Sequence, residues 1–181
     1  MFTPDNKPQE AKKVPYFEDA TSADGWQGHA TTKSVKTLQA EIKTALERME
    51  GDVTNFVSGT FEINGQTRQG FQLFYVLPGP SGKHLKGRMD IAALPVKDKF
   101  NANKKEKSLR MALFMVIIAL KGSWFLEVLA PGFSVLMPGL LVDREGNTLS
   151  DLYTKGMTDH LLPSGDSFQE DVIEGEIKDV K

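Results

Sequence analysis

The sequence predicts an α+β fold with the element order α-β-β-β-α-α: an N-terminal helix, a three-stranded antiparallel meander, a long apolar core helix and a short C-terminal helix. Three observations indicate this. The spacing of apolar residues changes from a helical period to alternation near residue 53, and back after residue 103. An Asn-Gly pair, a strong hairpin signal, divides the alternating part. Residues 111–120 are all apolar, which is typical of a core helix.

The first helix begins after Ser34, a preferred N-cap residue, and Gly51 is its predicted stop. Between them, apolar residues recur every three or four positions on one face, as in an amphipathic helix. They are Val35, Leu38, Ile42, Ala45, Leu46 and Met49. The helix therefore needs a partner surface for this stripe.

Three strands follow, and the residues between them set the pairing. Residues 57–63 alternate up to Asn64-Gly65, which predicts a type I′ turn because both turn positions need positive φ. The second strand, 66–77, has large apolar residues on both faces and is predicted to be central. After a Pro/Gly-rich break, residues 85–93 alternate again, and their basic side chains share one face.

The last part is predicted to hold a long helix and a short one. The long helix covers 104–120, where it begins with charged residues and becomes apolar on every side. It is predicted to continue past residue 120 until Pro131-Gly132 ends it. Thr148 opens the short helix, because Asp151 three residues later completes a partial capping box. The residues expected to face inward are Leu149, Leu152 and Tyr153.

The chain length suits one domain, since 181 residues with 40% hydrophobic and 25% charged side chains can bury a single core. We place this domain at 33–162. Residues 1–32 show no amphipathic period and are predicted to be a flexible arm, anchored in part by Trp26. Residues 163–181 are predicted to be an acidic, disordered tail.

Two features predict a cytoplasmic protein without membrane contact. Residues 1–9 contain no apolar run of the kind that signal peptides need. The longest uncharged stretches, 111–120 and 128–142, are shorter than the roughly 20 residues that cross a bilayer. The absence of cysteine fits a reducing compartment.

No residue pattern indicates catalysis, a cofactor or a metal site. Without cysteine, thiolate metal sites and cysteine nucleophiles are excluded. His29, His84 and His160 have no second ligand at metal-binding spacing. Residues 79–83 follow a strand as a phosphate-binding loop would, but Leu77 occupies the place of the first glycine that such a loop requires. We therefore predict a non-enzymatic protein.

The charge distribution is the feature that suggests a ligand. Residues 83–110 hold nine basic residues against three acidic ones, whereas residues 143–181 hold ten acidic residues against four basic ones. The nine basic residues form the predicted nucleic-acid-binding set: Lys83, Lys86, Arg88, Lys97, Lys99, Lys104, Lys105, Lys107 and Arg110. Several of them crowd the start of the second long helix, where the helix dipole already favours anions.

The order helix, three antiparallel strands, helix, with Lys104, Lys105 and Lys107 opening the second helix, is similar in outline to the double-stranded-RNA-binding domain over about 90 residues. This resemblance implies a nucleic-acid partner. The chain departs from the family along the second helix, where bulky Phe114 and Met115 stand in place of small residues.

The predicted function is that of an accessory protein that binds the backbone of DNA or RNA without sequence specificity. The alternative is a protein-interaction or assembly module. Such a module would form a homo-oligomer through the apolar region 111–142, or recruit a protein partner through the acidic tail. Two further alternatives stay open: the basic residues are an ordinary solvated face, or distant residues assemble an enzyme site that leaves no motif.

Overall fold

The structure, a computed structural model, describes residues 14–79, 82–130 and 134–154. It has the predicted α+β arrangement. The elements are α1 (Val35–Glu47), β1 (Asp52–Ile63), β2 (Gln66–Pro78), β3 (His84–Ala92), α2 (Ala102–Leu129) and α3 (Leu149–Thr154), with a 3-10 turn at Met137–Gly139. The predicted acidic tail, 163–181, lies outside the described residues.

The sheet is the predicted antiparallel meander, in the order β1-β2-β3. Asn64 and Gly65 form the hairpin turn with φ of 52° and 73°, so both adopt the left-handed conformation that a type I′ turn needs. Ile63 pairs with Gln66 directly across this turn. The central position predicted for β2 is confirmed.

The hydrophobic core lies on one face of the sheet, where α1 and α2 both pack. From β2 the core receives every second residue, including Phe71, Leu73 and Tyr75, and the two helices add side chains such as Ile42 and Leu113. On the opposite face of β2 the side chains are only half-buried. The apolar residues on that face made β2 look more enclosed in the sequence than it is.

Tyr75 fastens the segment after α2 to the sheet. Its ring lies over Gly87, where a Cβ would come within 2.3 Å of the ring, so that only glycine fits. The hydroxyl donates a hydrogen bond of 2.7 Å to the backbone carbonyl of Leu136. Burial raises the pKa of Tyr75 to about 12, because the phenolate would lose its hydration in the core.

The predicted helix starts are confirmed, and two details differ. Ser34 accepts the Thr37 N–H at 3.1 Å. Thr148 and Asp151 cap α3 reciprocally, each side chain accepting the other's backbone N–H. At the end of α1 the left-handed residue is Glu50, with φ of 60°, and not the predicted Gly51. In α3, Leu149 and Tyr153 are exposed, so their predicted inward orientation is wrong.

The long helix α2 is buried mainly in its N-terminal half, where Met111 packs with Phe17 and Leu94 while Leu113 and Ile117, on a different side of the helix, belong to the main core. Its buried residues are Ser108, Met111, Leu113, Ile117 and Leu120. One small sheet and the 13-residue α1 cannot cover all sides of a 28-residue helix, so much of its apolar surface is left exposed. By length and composition α2 could also cross a membrane, with a mean hydropathy of 1.9 over 18 residues, 17% of them buried. The absence of membrane contact therefore stays a prediction.

Candidate nucleic-acid interface

The nine basic residues of the predicted set lie in two groups. Lys83 directly precedes β3 and Lys86 and Arg88 lie within its first five residues, whereas the other six follow its end, in the loop before α2 and the first turns of α2. Lys86 and Ala92 are six residues apart on β3, which is about 20 Å of extended chain. The structure thus does not bring the nine residues onto one continuous surface.

Arg88 has a structural role. Its Nη2 donates to carboxylate oxygens of Asp90 at 3.2 Å and Asp151 at 3.1 Å, and its Nη1 donates to the carbonyl of Gly146 at 2.6 Å. These contacts tie β3 to α3 and to the turn before it. Because its charge is matched by two carboxylates, Arg88 has little capacity left for a phosphate.

Three further members of the set are paired with carboxylates. The pairs are Lys97 with Asp19, Lys104 with Glu18, and Arg110 with Glu106. Hydrogen bonds from the Lys97 backbone N–H and the Lys104 ammonium outweigh the effect of burial and lower the pKa of Glu18, which keeps it ionised. Within the described ranges, the members without a carboxylate partner are Lys83, Lys86, Lys99, Lys105 and Lys107.

A groove of about 690 Å³ opens where the β1–β2 hairpin extends past the end of β3. The last pair between β2 and β3 is Gly70 with Ala92, so residues 66–68 project beyond the third strand. The loop after β3 and the first turn of α2 form the opposite wall. This groove, defined by these two walls, is called the hairpin groove below.

The described residues that line the hairpin groove are basic, polar, aromatic or aliphatic, and none of them is acidic. The basic ones are Arg68, Lys97, Lys99 and Lys105. The aromatic ones are Tyr16 and Phe100, and the polar ones are Thr60, Gln66, Thr67 and Gln69. Three of these cations, Arg68, Lys99 and Lys105, have no carboxylate partner in the described residues and produce a positive potential here, although the whole chain has a net charge of −2.

The segment 14–20 supports one wall of the hairpin groove. Phe17 and Ala20 are buried in a second apolar cluster with Leu94 and Met111. The Phe17 N–H donates to the Pro95 carbonyl at 2.8 Å. These contacts hold the loop after β3 in place. They come from residues 14–20, which belong to the part of the chain, 1–32, that the sequence predicts to be a flexible arm.

Arg68 belongs to the hairpin groove and is absent from the predicted set. Its Nε donates to the Ala93 carbonyl at 2.6 Å and its Nη2 to the Ala92 carbonyl at 2.9 Å. Burial lowers its pKa, yet a guanidinium stays protonated at neutral pH. Its partners are neutral carbonyls, so its charge has no carboxylate counterpart in the described residues, and N–H donors remain for an anion.

Phe100 is the second groove residue that the sequence analysis passed over. Its side chain is 86% exposed, more than that of any other large hydrophobic residue described. The Phe100 N–H donates to the Asp98 carboxylate at 3.0 Å, and the Lys99 ammonium lies 5.5 Å from the ring centroid. The sequence shows an aromatic residue between Lys99 and Asn101 in a polar loop, which is a signal for a surface ring, but only the structure shows its exposure.

The arrangement suits the binding of an anion. Its described lining residues offer four cations and several hydrogen-bond donors, but no carboxylate that could act as a general base. In the described ranges, no three His, Asp or Glu side chains are close enough together to hold a metal ion. A smaller cavity of about 310 Å³ contains Arg88 and Asp151, which already bond to each other.

Comparisons with known proteins add no functional information. No protein family matches the chain, and no match was found among curated protein sequences or solved structures. The similarity to the double-stranded-RNA-binding domain therefore rests on element order and on three lysines, one of which, Lys104, is paired with Glu18. The geometry of the hairpin groove is thus the basis for a functional assignment.

Proposed function

We propose that this chain binds the sugar-phosphate backbone of nucleic acid, without sequence specificity, in the hairpin groove. The supporting observation is a groove whose described lining residues include four basic ones and no acidic one. Phosphate contacts from Lys and Arg carry no sequence information, because every nucleotide presents the same phosphate. The function is that of a non-enzymatic accessory protein.

Three cations of the hairpin groove supply most of the binding. Arg68, Lys99 and Lys105 have no carboxylate partner in the described residues, whereas Lys97 is paired with Asp19. Three phosphate contacts correspond to the release of about two to three counterions from a nucleic acid. The short contact surface and the negative net charge both predict modest affinity that depends strongly on salt.

The proposal is tested by fluorescence anisotropy of labelled single- and double-stranded DNA and RNA, titrated with the protein at several salt concentrations. We expect log Kobs to fall linearly with log salt, with a slope of about −2 to −3. Between about 50 and 200 mM salt the affinity then falls roughly 15- to 60-fold. Absent binding at the lowest salt, or binding that salt does not change, would contradict the proposal.

A second candidate function is self-association through the exposed side of α2. Phe125 and Leu129 are 58% and 80% exposed, and Leu126 and Val128 are also exposed. A contiguous apolar surface of this kind on a soluble domain is typical of a protein contact. Residues 118, 122, 125 and 129 follow the four-three-four spacing of a helix-pairing seam.

Self-association is tested by sedimentation velocity of the wild type and of the Leu129→Glu variant. We expect a dimer at micromolar concentration that the variant converts to a monomer, because a charge on the seam must be desolvated on pairing. The control is Val57→Glu, which alters an exposed apolar residue on β1 and leaves the dimer intact. A wild type that stays monomeric throughout would rule out this function.

A further inference from the structure

Phe100 has an exposure that the fold does not explain. At 86% exposed, its ring adds nothing to the core, although it lies between two structured elements. The neighbouring Asn101 caps α2 by accepting the Lys104 N–H at 3.0 Å. Capping of α2 does not require an aromatic residue at position 100. Contact with a ligand would explain why an aromatic ring is exposed there.

The backbone of Phe100 is held from two sides. Its N–H donates to the Asp98 carboxylate, and the Asn101 N–H donates to the Asp98 carbonyl at 3.0 Å. These bonds fix the loop directly before α2 and present the ring at the rim of the hairpin groove. A loop fixed in this way loses little backbone freedom when a flat ligand stacks on the ring.

The surroundings of the ring match the chemistry of an unpaired nucleotide. Nucleobases stack on aromatic side chains, and the positive charges beside such a ring contact the phosphates of the same strand. Lys99 and Lys105 supply those charges within the same groove. In a duplex the faces of the bases are covered by their neighbours, so that a ring at the rim reaches only the ends.

Building on the proposed function, we infer that the hairpin groove selects single-stranded nucleic acid, with one base stacked on the ring of Phe100. The Lys99 ammonium group, 5.5 Å from the ring centroid, lies beside this stack. The phosphates on either side of the stacked nucleotide contact Lys105 and Arg68. Base identity matters little, because every base has a face that stacks.

The test compares an oligothymidylate of about 15 nucleotides with an abasic strand of equal length and charge. We expect the wild type to bind the thymidylate about tenfold more tightly, which is the effect of one stacked base. Phe100→Ala should remove this preference and leave abasic binding unchanged. Phe100→Trp should restore the preference, with tryptophan emission quenched by the thymidylate more than by the abasic strand.

The control variant is Tyr153→Ala, which removes an exposed aromatic ring outside the hairpin groove. It should keep the preference for thymidylate. If Phe100→Ala also keeps that preference, or weakens the binding of both strands equally, the stacking inference is wrong. The proposal that the groove binds the nucleic-acid backbone is not affected by that result. If the wild type binds neither strand, the proposed function and the inference both fail.

Discussion

Lys99→Glu combined with Lys105→Glu is expected to weaken single-stranded nucleic-acid binding by about 100-fold at about 0.1 M salt. Both lysines line the hairpin groove, and neither has a carboxylate partner in the described residues. Reversal removes two phosphate contacts and places two negative charges beside the strand. The salt dependence should fall as well, with the slope of log Kobs against log salt shrinking by about 1.5 to 2. Fluorescence anisotropy across a salt series measures both effects.

The matched control for this variant is Lys83→Glu with Lys86→Glu. It produces the same change in net charge from two lysines that also lack a carboxylate partner within the described ranges, but at the other end of β3. A loss confined to the groove variant assigns binding to the hairpin groove. Equal losses in both variants would mean that general charge, and not the groove, governs binding.

Lys104 is left unchanged in this experiment because it contacts Glu18 at 3.1 Å. A glutamate at position 104 would face Glu18 at close range and push segment 14–20 away from α2. Charge reversal of Lys104, Lys105 and Lys107 together, the three lysines that open the predicted helix, would therefore weaken binding and disrupt the structure at the same time. The two effects could not be separated in that variant.

Gly70→Ala is expected to destabilise the fold by about 3 kcal/mol. Gly70 is buried in β2, and a Cβ there would lie 2.0 Å from the backbone carbonyl oxygen of Ile91 and 2.6 Å from the Phe61 ring. Backbone cannot yield as the end of a side chain can, so the strands must separate. The thermal midpoint should drop by roughly 6 to 12 °C, which calorimetry or circular dichroism would detect.

Gly59→Ala is the control for Gly70→Ala, because Gly59 pairs with Gly70 across the sheet. A Cβ at Gly59 would have no atom of the structurally described residues within 4 Å. The control should leave the fold unchanged or stabilise it by about 0.5 kcal/mol, since alanine has less freedom than glycine in the unfolded chain. Equal stability of the two variants would contradict the close approach of β2 to β3 at Gly70.

Most of the fold was predictable because its signals are local. Ser34, Asn64-Gly65 and the Thr148/Asp151 pair each act over two to four residues, and all three have the predicted geometry. The end of α2 was predicted as well, because Pro131-Gly132 stops a helix whereas a single glycine at position 122 does not. Helical hydrogen bonding tolerates one glycine at a cost of about 1 kcal/mol, so the helix continues to Leu129.

The candidate site was only partly predictable, because it depends on contacts between distant parts of the chain. Lys97 and Lys104 find their carboxylate partners 78 and 86 residues earlier, in a segment without periodicity. Proximity in sequence grouped Lys83 and Lys86 with residues that the fold places at the other end of β3. Arg68, the only charged residue of β2, belongs to no cluster in the sequence and joins the hairpin groove through the sheet register.

The packing of segment 14–20 also determines where the chain can be shortened. A chain trimmed to 33–162, the domain that the sequence suggests, would lose Phe17 and Ala20 from the second apolar cluster. It would also release Lys97 and Lys104 from Asp19 and Glu18. Such a fragment would carry two more free positive charges on a less well-supported wall. Crystallisation or binding work on this protein should therefore keep the residues from 14 onward.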